Sequence, residues 1–177
     1  MIHSSFAPFY ETEVPQDELI VSRTDTTGII TYANNTFASI SGYAPEELIG
    51  KSHRIIRHPD MPKSIFKELW SAIIQGKIWS GYVKNRRKDG GYYWVYAEIS
   101  PLIQEGKIVE YKSMRSFVPK EKRQLLQDSY DRKRKEEEDR IQIHADISSQ
   151  SYALLNKELN QNELTLDAWL LEKLHNH

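Results

Sequence analysis

Residues 78–103 read IWSGYVKNRRKDGGYYWVYAEISPLI. Asp89-Gly90 divides this run into two apolar-rich halves. An Asp-Gly pair in that setting is among the strongest short hairpin signals, because the tight turns that match strand twist need positive φ. In the second half Tyr93, Val95, Ala97 and Ile99 fall on one side, and Tyr92, Trp94, Tyr96 and Glu98 on the other. That is the strand period of two. The pattern predicts strands over 78–88 and 91–103. Glu105-Gly106 then leads into a third strand over 107–118.

Upstream of the hairpin the period changes. Ile65, Phe66, Leu69, Trp70, Ile73 and Ile74 recur at three- and four-residue spacing after Pro62, and Gly76 follows. This predicts a helix with one apolar side. "RIIRHPDMP" (54–62) leads into it, with Asp60 expected as N-cap and Pro62 in the first turn. "NTFASISG" (35–42) and "YAPEELIG" (43–50) read as two short helices. "ELIVSRTD" (18–25) and "GIITYAN" (28–34) read as a further strand pair around a Thr26-Thr27-Gly28 turn. Strands at both ends with helices between them give an α+β fold, a five-stranded antiparallel sheet with short helices on one face. A helix-roofed concave sheet is a natural small-molecule cavity. The folded domain is bounded at 19–118, with residues 1–18 as an N-terminal arm or cap.

Residues 119–177 have a different character. "RKRK" (132–135) precedes "EEED" (136–139), which sets Arg134 against Glu138 and its neighbours likewise at i,i+4 in a solvated helical extension. Ile141, Ile147, Tyr152, Leu155 and Leu159 form a loose apolar stripe, and a further short helix is expected after Thr165 with Leu166, Trp169, Leu170 and Leu174 on one side. Those positions need a partner, whether the domain itself, a second copy in a homodimer or another protein.

Composition narrows the function classes. A net charge of −1 argues against a nucleic-acid or acidic-membrane coat. The absence of cysteine removes disulfides, thiolate metal sites and cysteinyl adducts with a cofactor. No leader or long apolar run is read, so the expectation is a cytoplasmic protein without membrane insertion. The six histidines have no metal-ligand spacing. No nucleophile–base set or phosphate-cradling glycine loop is found, which argues against an enzyme.

"TDTTGIITYANNTFASISGYAPEELIG" resembles the first half of a PAS domain, and "RHPDMPKSIFKELWSAIIQGKIWSGYVKNRRKDGGYYWVYAEISPL" resembles the PAS domain of bacterial aerotaxis receptors. The likeness runs from about Leu19 to Phe117. It implies a PAS fold, bound FAD and redox sensing. No transmembrane segment, HAMP domain or signalling coiled coil follows here, so the resemblance implies the detached soluble sensor of a bipartite energy-taxis system. Such a sensor signals to a separate membrane-bound chemoreceptor, through which it is brought to the membrane.

The family motif maps onto Arg57, His58 and Asp60 as residues on which FAD binding depends, and Asn34 also matches. The guanidinium of Arg57 suits a phosphate. Asn34 is equally a helix cap, and Asp60 equally a cap or a ligand contact. Asn85 offers an amide to the ring edge, or is an exposed strand asparagine. Trp79 and Trp70 are candidate cavity walls, with core packing the stronger reading for Trp70. His53 is a candidate at the mouth, with a surface histidine the stronger reading. Arg86, Arg87 and Lys88 are expected in solvent. Two other readings stand on the same fold: a haem-binding gas sensor using His58 or His53 as axial ligand, and a cofactor-free interaction module.

Overall fold

The computed structural model describes residues 10–161. The arm expected over 1–18 therefore lies partly outside the described residues, and the helix expected after Thr165 lies wholly outside them. Five strands, β1 (Ile20–Thr24), β2 (Ile30–Ala33), β3 (Trp79–Arg86), β4 (Tyr92–Gln104) and β5 (Lys107–Ser116), form one antiparallel sheet in the order β2-β1-β5-β4-β3. Between β2 and β3 come α1 (Asn35–Ser41), α2 (Pro45–Leu48), a 3₁₀ turn (His53–Ile56) and α3 (Lys63–Ile73). The fold is the expected α+β sheet with helices.

Local chemistry accounts for the turns. Glu105 at φ 50° and Gly106 at φ 76° place two successive positive-φ residues between β4 and β5, which is what a tight hairpin of matching twist requires. Asn34 caps α1, its Oδ1 accepting from the Phe37 N–H at 3.0 Å. The start of α3 differs from expectation. Pro62 stands at its N-cap and no side chain caps it. Asp60 sits too early, and its carboxylate is taken by Lys84 and Arg134. The apolar side of α3 buries Ile65, Leu69 and Ile73, each worth about 1.5–3 kcal/mol.

The pairing Trp79↔Ile99, Gly81↔Ala97, Val83↔Val95 and Asn85↔Tyr93 puts one parity of β3 and β4 beneath the helices. The other parity forms the outer face. There Tyr82 and Tyr96 pack at 4.9 Å, and Trp94 meets Tyr130 at 5.7 Å. Tyr130 belongs to α4 (Lys120–Gln161), and its hydroxyl donates to the Tyr82 carbonyl at 2.7 Å. The compact body thus continues through Arg134, past the boundary at 118. Arg134 pairs with Asp131 at 2.9 Å and Asp60 at 3.3 Å. Residues from Lys135 onward form a second unit, helical as far as Gln161, with Ile141 and Tyr152 exposed. The side chains of Ile147 and Leu159 lie outside the description.

Of the three cations before the β3–β4 turn, Arg86 and Lys88 are exposed as expected and Arg87 is less solvated. Arg87 is half-buried and donates to the Ile40 carbonyl at 2.5 Å and to Asp89, tying the hairpin to the end of α1. Arg86 donates to the Ile55 carbonyl at 2.9 Å.

Candidate functional site

Between the inner sheet face and its helical roof lies a cavity of about 1020 Å³. Its floor comes from alternate residues of four strands: Ser22 and Thr24 of β1, Val83 and Asn85 of β3, Ala97 and Ile99 of β4, and Tyr111, Ser113 and Arg115 of β5. Strand alternation delivers all of them to one side. The roof is Phe66, Leu69, Trp70 and Ile73 of α3, together with His53 and Arg54 of the 3₁₀ turn.

Charge is distributed unevenly around this space. Arg54, Arg57, Lys63 and Lys67 line its rim, and no aspartate or glutamate appears among the described lining residues. The guanidinium of Arg57 lies 3.7 Å from the Phe66 ring centroid. Such a rim attracts an anion, and a low-dielectric cleft focuses its field.

Deeper in, Arg115 is buried. Its Nη2 donates to Ser22 Oγ at 3.0 Å and to His53 Nε2 at 2.7 Å, and its guanidinium carbon lies 4.5 Å from the Phe37 ring centroid. Burial lowers its pKa to about 10, so it remains a cation at neutral pH. Burial, reinforced by Arg115, lowers His53 to about 3, so His53 is neutral and serves as an acceptor. Arg115 Nη1 and Ser113 Oγ are buried without a hydrogen-bond partner. Burial also pushes Tyr93 up to about 12. Orphaned donors at this depth are rare in folded proteins and ask for a missing partner.

The eight sequence candidates divide into two groups. Arg57, Asn85, Trp70 and His53 line the cavity. Asn85 is buried rather than exposed, on the inner parity of β3. Trp70 is not core. It is 37% exposed at the mouth, edge-on to Tyr111 at 5.8 Å and against Gly28, where an added Cβ would meet its ring at 3.2 Å. His53 is not a surface residue, being drawn in beneath Phe37 with ring centroids 5.9 Å apart.

Asn34, His58, Asp60 and Trp79 stand outside the lining. The amide of Asn34 is engaged within the fold, its Oδ1 accepting from the Val21 and Phe37 N–H groups and its Nδ2 donating to the Leu19 carbonyl. Arg57 bridges Asn85 along the free edge of β3. In such an extended segment His58 faces away from Arg57. His58 packs edge-on to Tyr92 at 5.8 Å, and its Nδ1 accepts from the Asp60 N–H at 3.1 Å. Burial, then Lys84, lower its pKa to about 4. Asp60 accepts from Lys84 Nζ at 2.6 Å and from Arg134. Trp79 lies under α3, its Nε1 donating to Glu68 at 3.2 Å.

Arg115, Ser113 and Ser22 were missed as candidates. Their signal was present: on β5 the inner parity carries Tyr111, Ser113 and Arg115, a charge and a hydroxyl where apolar residues are the rule.

Comparison with known proteins agrees with this architecture. The PAS fold family model matches residues 30–115. The aerotaxis receptor of Escherichia coli is 48% identical over 105 residues, covering 59% of this chain and 21% of the receptor. The nitrogen fixation regulatory protein of Klebsiella pneumoniae is 32% identical over 108 residues, covering 60% of this chain and 22% of that protein. The chain thus spans about a fifth of these relatives' lengths. Among solved structures, the dark state of the blue-light photoreceptor Aureochrome1 LOV superposes with a TM-score of 0.56 at 25% identity, over 62% of this chain and 83% of that one. The sheet order, the roofed cavity and these matches make one statement: residues 30–115 belong to the PAS family, in a domain similar to that of the aerotaxis receptor.

Proposed function

We propose that this PAS domain binds FAD and reports the redox state of the cofactor to a separate membrane-bound chemoreceptor. The charge layout of the cavity carries the reading. Four cations and no described carboxylate surround the mouth, while the interior is apolar with a few buried polar groups. A flavin dinucleotide has the reverse layout, a pyrophosphate behind a flat ring with a polar edge, so its phosphates meet Arg57 and the α3 lysines while its ring reaches Asn85, Ser113 and Arg115. When bound, the flavin supplies two-electron chemistry. The protein binds it, excludes water and senses its charge. The 48% identity to the aerotaxis receptor supports the same reading.

The outer face offers a route outward. Lys84 adjoins Asn85 in β3, and its ammonium contacts Asp60 and Gln127 of α4 at 2.6 and 2.9 Å. A strain on β3 would reach α4 across one side-chain layer. A signal needs two states that the ligand stabilises differently. The haem alternative is disfavoured by geometry. His53 Nε2 is occupied by Arg115, and His58 lies outside the cavity lining. In this reading the receptor is a second protein; among the described residues no helix is long and apolar enough to cross a membrane.

The test is the visible spectrum of protein offered excess FAD, before and after dithionite. A twin-peaked blue band that bleaches on reduction supports the proposal. Protein that stays colourless overturns it.

A further inference from the structure

Arg115 is a buried cation with no anionic partner among the described residues. Folding leaves such a charge in the interior only at a desolvation cost of several kcal/mol. Replacing it with an apolar residue of similar volume would remove that cost, so the fold itself gives little reason for a cation here. The surrounding residues nevertheless hold it in place. Ser22 Oγ and His53 Nε2 both accept from Nη2, Phe37 lies against the guanidinium plane, and Nη1 has no partner. Ser113 sits two residues earlier on the same strand face, its hydroxyl also without a partner. Both residues line the cavity.

We infer that Arg115 and Ser113 form a subsite for the electron-rich carbonyl edge of the bound ring, and that Arg115 binds the negatively charged reduced ring more tightly than the neutral oxidised one. The inference rests on the flavin reading and assigns that ligand a contact beyond the Arg57 rim. Two electrons from an external reductant, dithionite in the test, together with one proton, convert the neutral ring to a monoanion. That negative charge would meet the guanidinium, and the proton is taken from solvent. His53 is a positioning residue. Neutral, it accepts from Arg115 Nη2 without competing for the anion.

The test uses full-length protein reconstituted with FAD. Wild type, Arg115→Met, Arg115→Lys and Ser113→Ala are compared by circular dichroism, FAD titration and potentiometric titration with dithionite. Met is expected to keep the fold and to lower the reduced-over-oxidised affinity ratio tenfold or more, which is about 30 mV for a two-electron couple. Lys should retain most of that ratio, and a folded Met variant that takes up no FAD would equally support the contact. Should the Met variant fail to fold, Ser113→Ala and Arg115→Lys carry the comparison through a shift in the bound flavin spectrum. An unchanged midpoint and unchanged affinity in the folded variants, with wild type loaded, overturn this subsite alone. Wild type that takes up no FAD overturns the flavin reading and this inference with it.

Discussion

Arg57 and His58 are consecutive in sequence but belong to different surroundings: Arg57 lines the cavity above Phe66, and His58 packs on Tyr92 outside that lining. The extended segment along the β3 edge imposes this split. The two residues should therefore fail differently. Arg57→Ala is expected to fold with near-normal stability and to bind FAD at least tenfold more weakly, since it removes a phosphate partner from the rim. His58→Ala is expected to lose about 1–2 kcal/mol of stability first, through the Tyr92 contact and the Asp60 N–H left without its acceptor. Urea unfolding set beside FAD titration separates them. Loss of FAD without loss of stability in His58→Ala would put that histidine on the ligand.

Acid should weaken the apo-protein early. The folded pKa of His58 is about 4 and that of His53 about 3, both below the ordinary 6.5. Below 6.5 the unfolded chain binds protons that the folded chain refuses. Stability is therefore complete above that value and falls toward pH 4, by at most about 1.4 kcal/mol per pH unit for each group. Urea midpoints taken from pH 7.5 to 4.5 should decline, and His58→Phe should flatten the decline. A flat profile in wild type would mean that both histidines charge freely in the folded state.

Where the chain is cut should matter. A chain ending at 118 strips Tyr130 from Trp94 and Arg123 from the Val118 carbonyl and Glu11. Ending at 134 keeps all of these. The shorter form is expected to lose several kcal/mol by thermal or urea unfolding, while the longer stays near wild type. Tyr130→Ala within the full chain should reproduce about 2–4 kcal/mol of that loss. Equal stability of the two truncations would mean that α4 does not support the sheet.

Gly81 gives a sharper steric test. A Cβ there would lie 2.6 Å from the Trp79 ring, which is buried and hydrogen-bonded to Glu68. Gly81→Ala should cost about 1–3 kcal/mol and shift the tryptophan fluorescence. Trp79→Leu should relieve most of the cost, measured as a double-mutant cycle.

The strand and helix order, the α+β class and the turns at Asp89-Gly90 and Glu105-Gly106 were all legible in the linear sequence. Each rests on interactions within a few residues: side-chain period, turn conformation, the cap supplied by Asn34. The PAS resemblance was equally local, carried by continuous strings of residues. The composition of the cavity was not local. Period two sets Tyr111, Ser113 and Arg115 on one face of β5, but only the antiparallel pairing of β5 with β1 brings Ser22 opposite Ser113, and only the 3₁₀ turn folded over the sheet brings His53 to Arg115. Likewise no neighbour in sequence draws Asp60 away from capping α3; Lys84 and Arg134 do so from 24 and 74 residues away. Short-range geometry determined what the elements are. Long-range packing decided which of their polar residues share a cavity, because a buried charge takes its meaning from whichever groups the fold brings within a few ångströms of it.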